Sequence, residues 1–498
     1  MSLRVALMLG VLATSASAQV GSVLHRQPIG PGVGGFTGTL GADSFGASLA
    51  SLGDLNGDGV VDLAVGAPAT DDGGPNRGGI WILFLKTDGT VLSQTKISQT
   101  QGGFTGVLKD GGGFGVRLDN VGDLDGDGVP ELAVFSGRPS RIWVLFLKSD
   151  GTLKGQTENL FTDPVFPPAT HPSDFNGELG VGGLEALGDL DGDGLGDLAV
   201  GAPYAFGDGF WAGAIWILRL DADGTVKAAH KIGENEGGFS ADLLSSELFG
   251  FTITQLGDLD GDGNRELFVH ARVTRNSWLL YLDANERVSS QQVLSNPGLG
   301  ENVGWLGDLD GDGNGELVMD GLAIASLRPD DSVGKVLYNP TPFGGRFEPL
   351  GDLDADGNPE VAAGLGLGAN GLEIVTLDSS AVRNGAGVNP LSLSQTAEPV
   401  IGTTWNVTLD CSGHTSGLAA VLGYSAPTSG VFAPYGELLV TGSRYFHLKR
   451  AHTGGPTLFQ LRVPPRVELI GVPMFVQGVC ADSSGAQLSN ALDVLIGR

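Results

Sequence analysis

Short apolar runs separated by turn residues recur along most of the chain. In one unit an apolar stretch at 49–53 leads into an acidic loop, and the run Leu63–Val65 follows that loop. The run Ile80–Leu83, an Asp-Gly dipeptide at 88–89 and the closing run Val91–Ile97 complete the unit. Asp-Gly between two strand-like runs is a strong signal for a β-hairpin. The pattern therefore predicts an all-β chain made of repeated units of four short strands.

A nine-residue acidic pattern, D-x-[DN]-x-D-G-x-x-[DE], marks each unit and occurs six times. Its copies begin at Asp54, Asp123, Asp189, Asp258, Asp308 and Asp352. The flanks repeat too, since Phe-Gly opens several copies, as at 45–46, and Gly-Ala-Pro follows two of them, at 66–68 and 201–203. Self-similarity of this kind predicts a repeat architecture, and four strands per repeat correspond to one blade of a β-propeller.

The two ends of the repeat region complement each other. The run Val23–Ile29 resembles a fourth strand, whereas the sixth repeat ends after its third strand at Leu372–Leu377. We therefore predict that the N-terminal strand completes the last blade and closes the ring. Counting acidic loops gives six blades, and seven blades are the alternative if one blade has lost its loop.

The acidic pattern predicts a metal site in each repeat. Carboxylates at positions 1, 3, 5 and 9, with the backbone carbonyl at position 7, form an all-oxygen shell, and Ca²⁺ takes about six to eight such ligands. Gly at position 6 permits the sharp turn around the ion, whereas Mg²⁺ fits less well because it retains waters. An EF-hand is excluded because position 12 holds strand residues such as Val65 instead of Glu. The predicted ligands are Asp54, Asn56, Asp58, Val60 and Asp62; Asp123, Asp125, Asp127, Val129 and Glu131; Asp189, Asp191, Asp193, Leu195 and Asp197; Asp258, Asp260, Asp262, Asn264 and Glu266; Asp308, Asp310, Asp312, Asn314 and Glu316; and Asp352, Asp354, Asp356, Asn358 and Glu360.

The charge of the chain is consistent with cation binding. Asp plus Glu number 57 against 28 Lys plus Arg, which gives a formal net charge of −29. Such a charge argues against nucleic acid and anionic membranes as partners. Much of the acidity is concentrated in the six loops, where carboxylates crowded without cations would repel one another. The alternative interpretation is a set of Asp-Gly turns with solvated carboxylates.

The Phe-Gly opening, the acidic loop and Gly-Ala-Pro together resemble the FG-GAP repeats of the integrin α-chain propeller. The resemblance covers roughly residues 20 to 380, and Gly-Ala-Pro is degraded in four repeats, as at 135–137 and 270–272. It implies that calcium stiffens hairpins on one face while ligands dock on the opposite face. It also implies a structural role for the metal in an adhesion or binding module.

The regions outside the repeats have their own signals. Arg4, an apolar stretch and Ala16-Ser17-Ala18 indicate a signal peptide over 1–18, so we expect secretion to the extracellular space or cell surface. No later stretch is long and apolar enough for membrane insertion. We assign 19–385 to the propeller and 386–498 to a small C-terminal β-sandwich. An oxidising compartment permits a disulfide between Cys411 and Cys480, with two free thiols or a metal pair as the alternatives.

Residues that carry catalysis are harder to find than residues that carry binding. No H-E-x-x-H or G-x-S-x-G motif occurs, and no acid–base constellation is expected in the central funnel, so we expect no enzyme. Aromatic residues crowd the insert after the second Gly-Ala-Pro, on the presumed ligand face, and loop packing is the alternative role for them. Those ligand-binding candidates are Tyr204, Phe206, Phe210 and Trp211, with the loop 71–77 as a weaker second.

The resulting prediction is a secreted calcium-binding β-propeller that acts as an extracellular binding, adhesion or structural module. Its partner is expected to be an extracellular protein or glycan, with neither nucleic acid nor membrane insertion involved. The alternative is an extracellular polysaccharide-acting enzyme, a lyase or hydrolase, on a propeller scaffold. Turnover of an anionic polysaccharide would separate the two.

Overall fold

A computed structural model describes residues 21–496, apart from 22, 138–139, 162, 167–181, 207–210, 295–300, 310–314, 328–332, 338–344, 355–357, 367, 378–380, 384–392, 396–398, 434–435, 467–468 and 470–471. The predicted signal peptide lies outside the described residues. Within the described part the chain contains strands and no α-helix. The strands are β1 (Val23–Ile29), β2 (Leu49–Gly53), β3 (Asp62–Ala67), β4 (Gly79–Leu85), β5 (Val91–Ser98), β6 (Arg117–Gly122), β7 (Glu131–Gly137), β8 (Ser140–Leu147), β9 (Leu153–Leu160), β10 (Leu184–Gly188), β11 (Asp197–Ala202), β12 (Ala214–Leu220), β13 (Val226–Gly233), β14 (Thr252–Gly257), β15 (Glu266–His270), β16 (Ser277–Leu282), β17 (Val288–Leu294), β18 (Val303–Gly307), β19 (Gly315–Met319), β20 (Ala323–Leu327), β21 (Val333–Leu337), β22 (Phe347–Gly351), β23 (Glu360–Gly364), β24 (Leu372–Leu377), β25 (Ala381–Arg383), β26 (Leu393–Gln395), β27 (Thr404–Asp410), β28 (Ser416–Ala433), β29 (Gly436–Thr453), β30 (Pro456–Arg462), β31 (Pro473–Asp482) and β32 (Gly485–Leu495).

The chain divides into two compact units, one over Gly21–Leu377 and one that begins at Asp378 and runs to the C-terminus. The boundary predicted from the sequence, at 385/386, lies a few residues further along the chain. Strand β25 lies between the two positions and pairs with β32 of the second unit.

The first unit consists of antiparallel four-stranded sheets, six of them in the described residues. Five sheets use four consecutive strands, from β2–β5 to β18–β21. The sixth has the order β1-β24-β23-β22, with β1 paired along β24 from Val23–Leu377 to Ile29–Leu372. The predicted closing role of the N-terminal strand is confirmed.

One edge strand of each sheet contacts the corresponding edge strand of the next sheet, in the order β2, β6, β10, β14, β18, β22 and back to β2. We call these six the inner strands. The sheets are thus arranged as blades of a β-propeller around a ring of inner strands. Whether the whole chain has six or seven blades stays a prediction.

Burial along each blade explains its sequence pattern. Strand β4 is buried over its whole length, which accounts for its continuous apolar run, whereas the outer strand β5 is buried at its two ends and exposed or half-buried between them. Aromatic pairs fill the space between blades. Trp81 meets Phe36 edge to face with ring centroids 5.1 Å apart, and Trp143 meets Phe104 in the same way at 5.0 Å. The repeated tryptophans are therefore packing residues.

The second unit is a sandwich of two sheets. One has the order β25-β32-β31-β28-β29 and the other β26-β27-β30. A single core contains side chains from both, including Trp405 of β27, Val421 of β28 and Phe459 of β30. Cys411, which follows β27, is disulfide-bonded to Cys480 in β31, so that one covalent link joins the two sheets.

Candidate metal centre

Each acidic loop connects the first two strands of a blade, such as β2 to β3. Because consecutive strands are antiparallel, these loops and the Asp-Gly hairpins between third and fourth strands lie at one end of the blades. In the fifth and sixth loops, residues 310–314 and 355–357 fall outside the described residues. The predicted ligands Asp310, Asp312, Asn314 and Asp356 are among them.

The first Asp of the pattern organises the loop backbone. In the first loop the Asp54 carboxylate accepts hydrogen bonds from the amides of Gly57, Asp58 and Gly59, at 2.8, 2.9 and 2.7 Å. The carboxylates of Asp123 and Asp189 accept the same three bonds in their loops. The loops are thus folded by their own side chains, with the remaining carboxylates gathered around the same space.

Two glycines allow this fold. Gly57 and Gly59 have φ angles of 79° and 89°, and the equivalent glycines of the next three loops are alike. Only glycine adopts this region at little cost. The repeat pattern assigned a role to the second of these glycines, whereas the first, at position 4, was missed.

The ninth residue of each loop is a buried carboxylate. Asp62, Glu131 and Glu266 are fully buried, and each accepts a hydrogen bond from the backbone amide at position 2, which is 2.6 Å long for Leu124 to Glu131. The bond recurs in all six loops, at 2.8 Å for Leu309 to Glu316 and for Leu353 to Glu360. Burial raises the pKa of Asp62 to about 6 and the pKa of Glu131 and Glu266 to about 7. A charged carboxylate here calls for a nearby cation.

The carboxylates of four loops converge closely. In each, three carboxylate oxygens lie within 4.8 Å of one another. The groups are Asp123, Asp125 and Asp127; Asp189, Asp191 and Asp197; Asp258, Asp260 and Asp262; and Asp352, Asp354 and Glu360. In the fourth loop Glu266 Oε1 is also buried without a hydrogen-bond partner in the described structure, as expected of a ligand atom. An oxygen-only donor set of this kind fits Ca²⁺.

Two loops contain a lysine among these carboxylates, which the acidic pattern does not indicate. Lys154 Nζ, from the second residue of β9, lies 3.0 Å from Asp125 Oδ2 and 3.5 Å from Glu131 Oε1, and it also contacts Asp127. Lys227, at the same place in β13, lies 3.3 Å from Asp191 Oδ2 and contacts Asp193. The ammonium group therefore lies where the oxygens would otherwise face a calcium ion.

We expect this lysine to weaken calcium binding by the second and third loops. Calorimetric titration of the Lys154→Met/Lys227→Met variant should show affinities raised by about tenfold at two sites, or ~1.4 kcal/mol each. The reason is that a tethered ammonium group must leave before the ion can take its place. In the first and fourth blades Leu92 and Ser289 occupy the equivalent position.

The matched control is Ser289→Lys, which places the same ammonium group beside the fourth loop and should weaken one site. Unchanged affinities in both variants would show that the lysines do not compete with the ion.

The opposite end of the blades carries the predicted ligand-binding aromatics. They lie in the connection from β11 to β12, a second-to-third-strand loop. Tyr204 and Trp211 meet edge to face with ring centroids 5.9 Å apart, and Trp211 is 37% exposed. Phe206 is half-buried beside them, whereas Phe210 lies outside the described residues. Trp211 also has a φ of 54°, which is uncommon for a bulky residue.

One sequence expectation is wrong, because the ring axis does contain acidic and basic groups. A cavity of about 320 Å³, here called the central cavity, is lined by all six inner strands, with Asp119, Glu185, Arg346 and Glu348 at its wall. Each of the three carboxylates stands four residues before the first Asp of a loop. That shared offset was the signal in the sequence, but their convergence depends on ring closure.

Comparison with known proteins agrees with this geometry. Residues 45–83 and 182–218 match the model of the FG-GAP repeat. The chain carries FG-GAP repeats. It is similar to integrin α chains, with 32% identity over 173 residues to integrin alpha-PS5 of Drosophila melanogaster, covering 34% of this chain and 16% of that protein. For integrin alpha-IIb of Mus musculus it is 31% over 182 residues, covering 33% of this chain and 16% of that protein.

These alignments span 16% of the length of each of the two integrin chains. Among solved structures, BBS1N in complex with ARL6DN aligns over 95% of this chain and 96% of that chain, with 13% identity and a TM-score of 0.38. The fold assignment rests on the sheets described above and not on this likeness. In the described residues no helix is long and apolar enough to cross a membrane.

Proposed function

We propose that this chain is a secreted extracellular binding module whose FG-GAP propeller is stiffened by calcium. The observation that carries the proposal is the convergence of three carboxylates within 4.8 Å in each of four loops. Calcium bound there would tie the start of the second strand to the loop before it, through the buried ninth residue. The metal would act on stability and leave the opposite end of the blades available for a partner.

The integrin relatives favour adhesion as the purpose of the module, with an extracellular protein or glycan as partner. The loop that contains Tyr204 and Trp211 supports the opposite end as the binding face, because aromatic anchors at exposed sites dominate many interfaces. The neighbouring loop is connected to it through the Leu248 amide, which donates to the Trp211 carbonyl at 3.2 Å. That loop adds Leu244, which is 62% exposed.

The test is a binding screen of the immobilised full chain against glycans and extracellular matrix proteins, with calcium and with a chelator. A ligand found in this way should bind Trp211→Ala at least about tenfold more weakly, a loss of ~1.4 kcal/mol. Leu92→Ala is the matched control, since Leu92 is a well-exposed apolar residue on the outer strand β5. Equal affinity of both variants would remove this face from the proposal, and turnover of an anionic polysaccharide would favour the enzyme instead.

A further inference from the structure

The central cavity is a built polar site on the propeller axis. Its volume of about 320 Å³ is at the lower end of the range of small-molecule pockets, ~300–1,000 Å³. Every inner strand contributes to its wall, so it exists only in the closed ring. Its polar and aromatic lining residues include Asp119, Glu185, Gln255, Trp305, Arg346 and Glu348.

The three carboxylates have a structural task that uses part of their capacity. Asp119 accepts a hydrogen bond from the Ala186 amide at 2.6 Å, and Glu185 accepts one from the Gln255 amide at 2.8 Å. Glu348 accepts one from the Ser51 amide at 2.9 Å. Each hydrogen bond links one inner strand to the next, which explains why the three carboxylates lie in the ring. It does not explain why the guanidinium of Arg346 lies among them.

Arg346 is the charged residue of the cavity with unsatisfied hydrogen-bond donors among the described residues. Its Nε and Nη2 atoms are buried and have no hydrogen-bond partner among the described residues. The other cavity arginine differs, because Arg117 donates from Nε to the Gly182 carbonyl at 3.0 Å and from Nη1 to the Val116 carbonyl at 2.9 Å. Burying unpaired donors of a charged group is costly, so these two atoms call for an acceptor. Two parallel N–H donors of a guanidinium match a carboxylate.

The protonation of the neighbours favours an anion over a cation. Burial raises the pKa of Glu185 well above its ordinary value and the pKa of Glu348 to about 8. Glu348 therefore carries a proton near pH 7 and can donate a hydrogen bond, and the raised pKa of Glu185 acts in the same direction. Burial also lowers the pKa of Arg117 and Arg346, but a guanidinium group in a protein stays protonated. Asp119, whose pKa burial raises to about 6, is the remaining carboxylate that ionises.

We propose that the central cavity binds the carboxylate group of a small organic acid, of about the size of one sugar residue, through the guanidinium of Arg346. Trp305 forms a partly buried aromatic side of the cavity against which a sugar ring or an alkyl chain would pack. This goes beyond the proposed adhesion function, because the site lies on the ring axis rather than on the outer loops.

The experiment is calorimetric titration of the calcium-loaded full chain with glucuronate, propionate, glucose and glucosamine. We expect glucuronate to bind, and we expect glucose and glucosamine not to bind. If propionate binds as tightly as glucuronate, the ligand is any small carboxylate. If propionate binds more weakly than glucuronate, the ligand is an acidic sugar. Preference for glucosamine, equal binding of glucose, or no binding of either carboxylate would overturn the proposal.

Variants test the role of Arg346 itself. Arg346→Gln should lower the affinity for the binding carboxylate at least tenfold. Arg346→Lys should retain part of that affinity, and it replaces the first variant if Arg346→Gln does not fold. The matched control is Arg287→Gln, on an exposed hairpin. Equal losses in the control and in Arg346→Gln, or no loss in either, would contradict the assignment.

The pH dependence gives an independent readout. The charged groups that face Arg346 are Arg117 and Asp119 of β6, Glu185 of β10 and Glu348 of β22, while β2, β14 and β18 contribute uncharged residues. Affinity for the carboxylate should therefore fall as the pH rises over the range around the pKa of Glu348, about 8, and ionisation of Glu185 acts in the same direction. Affinity that rises over this range would contradict the proposal.

Discussion

A chain that begins at Gly30, without strand β1, is expected to lose the cooperative thermal transition of the propeller or to melt far below the full-length chain. β1 supplies the fourth strand of the last blade, and its Ile29 is buried at 1% exposure in the core shared with Phe45 and Trp81. Burying one such side chain stabilises by about 1.5–3 kcal/mol, and the loss of the strand also exposes the unpaired edge of β24.

Calorimetry and size-exclusion chromatography measure this effect. Arg26→Gln is the control, since it removes the half-exposed ion pair with Glu373 (3.3 Å), worth less than about 1 kcal/mol, and keeps the strand. A synthetic peptide of residues 21–30 added to the truncated chain should restore the transition. An unchanged melting temperature after truncation would show that closure does not depend on β1.

Reduction of the disulfide is the second large effect. Cys411 and Cys480 are 69 residues apart in sequence, and a loop of this length restricts the unfolded chain by about 4 kcal/mol in the chain-entropy model. Reductant should therefore lower the free energy of unfolding of the second unit by about 4 kcal/mol, as measured by urea unfolding. The first unit, over Gly21–Leu377, contains no cysteine and should be unaffected.

The double variant Cys411→Ala/Cys480→Ala separates the bond from the reagent. It should be less stable than the wild-type chain and insensitive to reductant. A variant that still responds to reductant, or a wild-type chain that does not, would contradict the expectation.

The blade architecture could be predicted because its signals are local. Apolar runs, Asp-Gly turns and acidic loops each lie within a few residues, and the likeness of Val23–Ile29 to Val91–Ile97 was enough to foresee ring closure. The division between the two units has no such local signal, because Ala381–Arg383 is a short strand whose partner in β32 lies more than a hundred residues away.

The acidic pattern predicts the ligand positions within each loop, but it contains no signal for residues that reach the loop from elsewhere in the chain. The pattern identified Asp54 and Asp62 directly, but Lys154 reaches Asp127 from a different strand. The central cavity was missed for the same reason, since Asp119 and Glu348 meet only through the closed ring. Position along the chain does not reveal such convergence.

Calcium titration of metal-stripped full-length protein by calorimetry, with a thermal melt at each end, tests the central claim most directly. We predict several bound Ca²⁺, a weaker class from the two loops that contain Lys154 and Lys227, and a marked rise in melting temperature. Each site adds about 2.7 kcal/mol when free calcium is a hundredfold above its Kd. Absence of binding heat and an unchanged melting temperature would show that the loops are solvated acidic turns and would contradict the account.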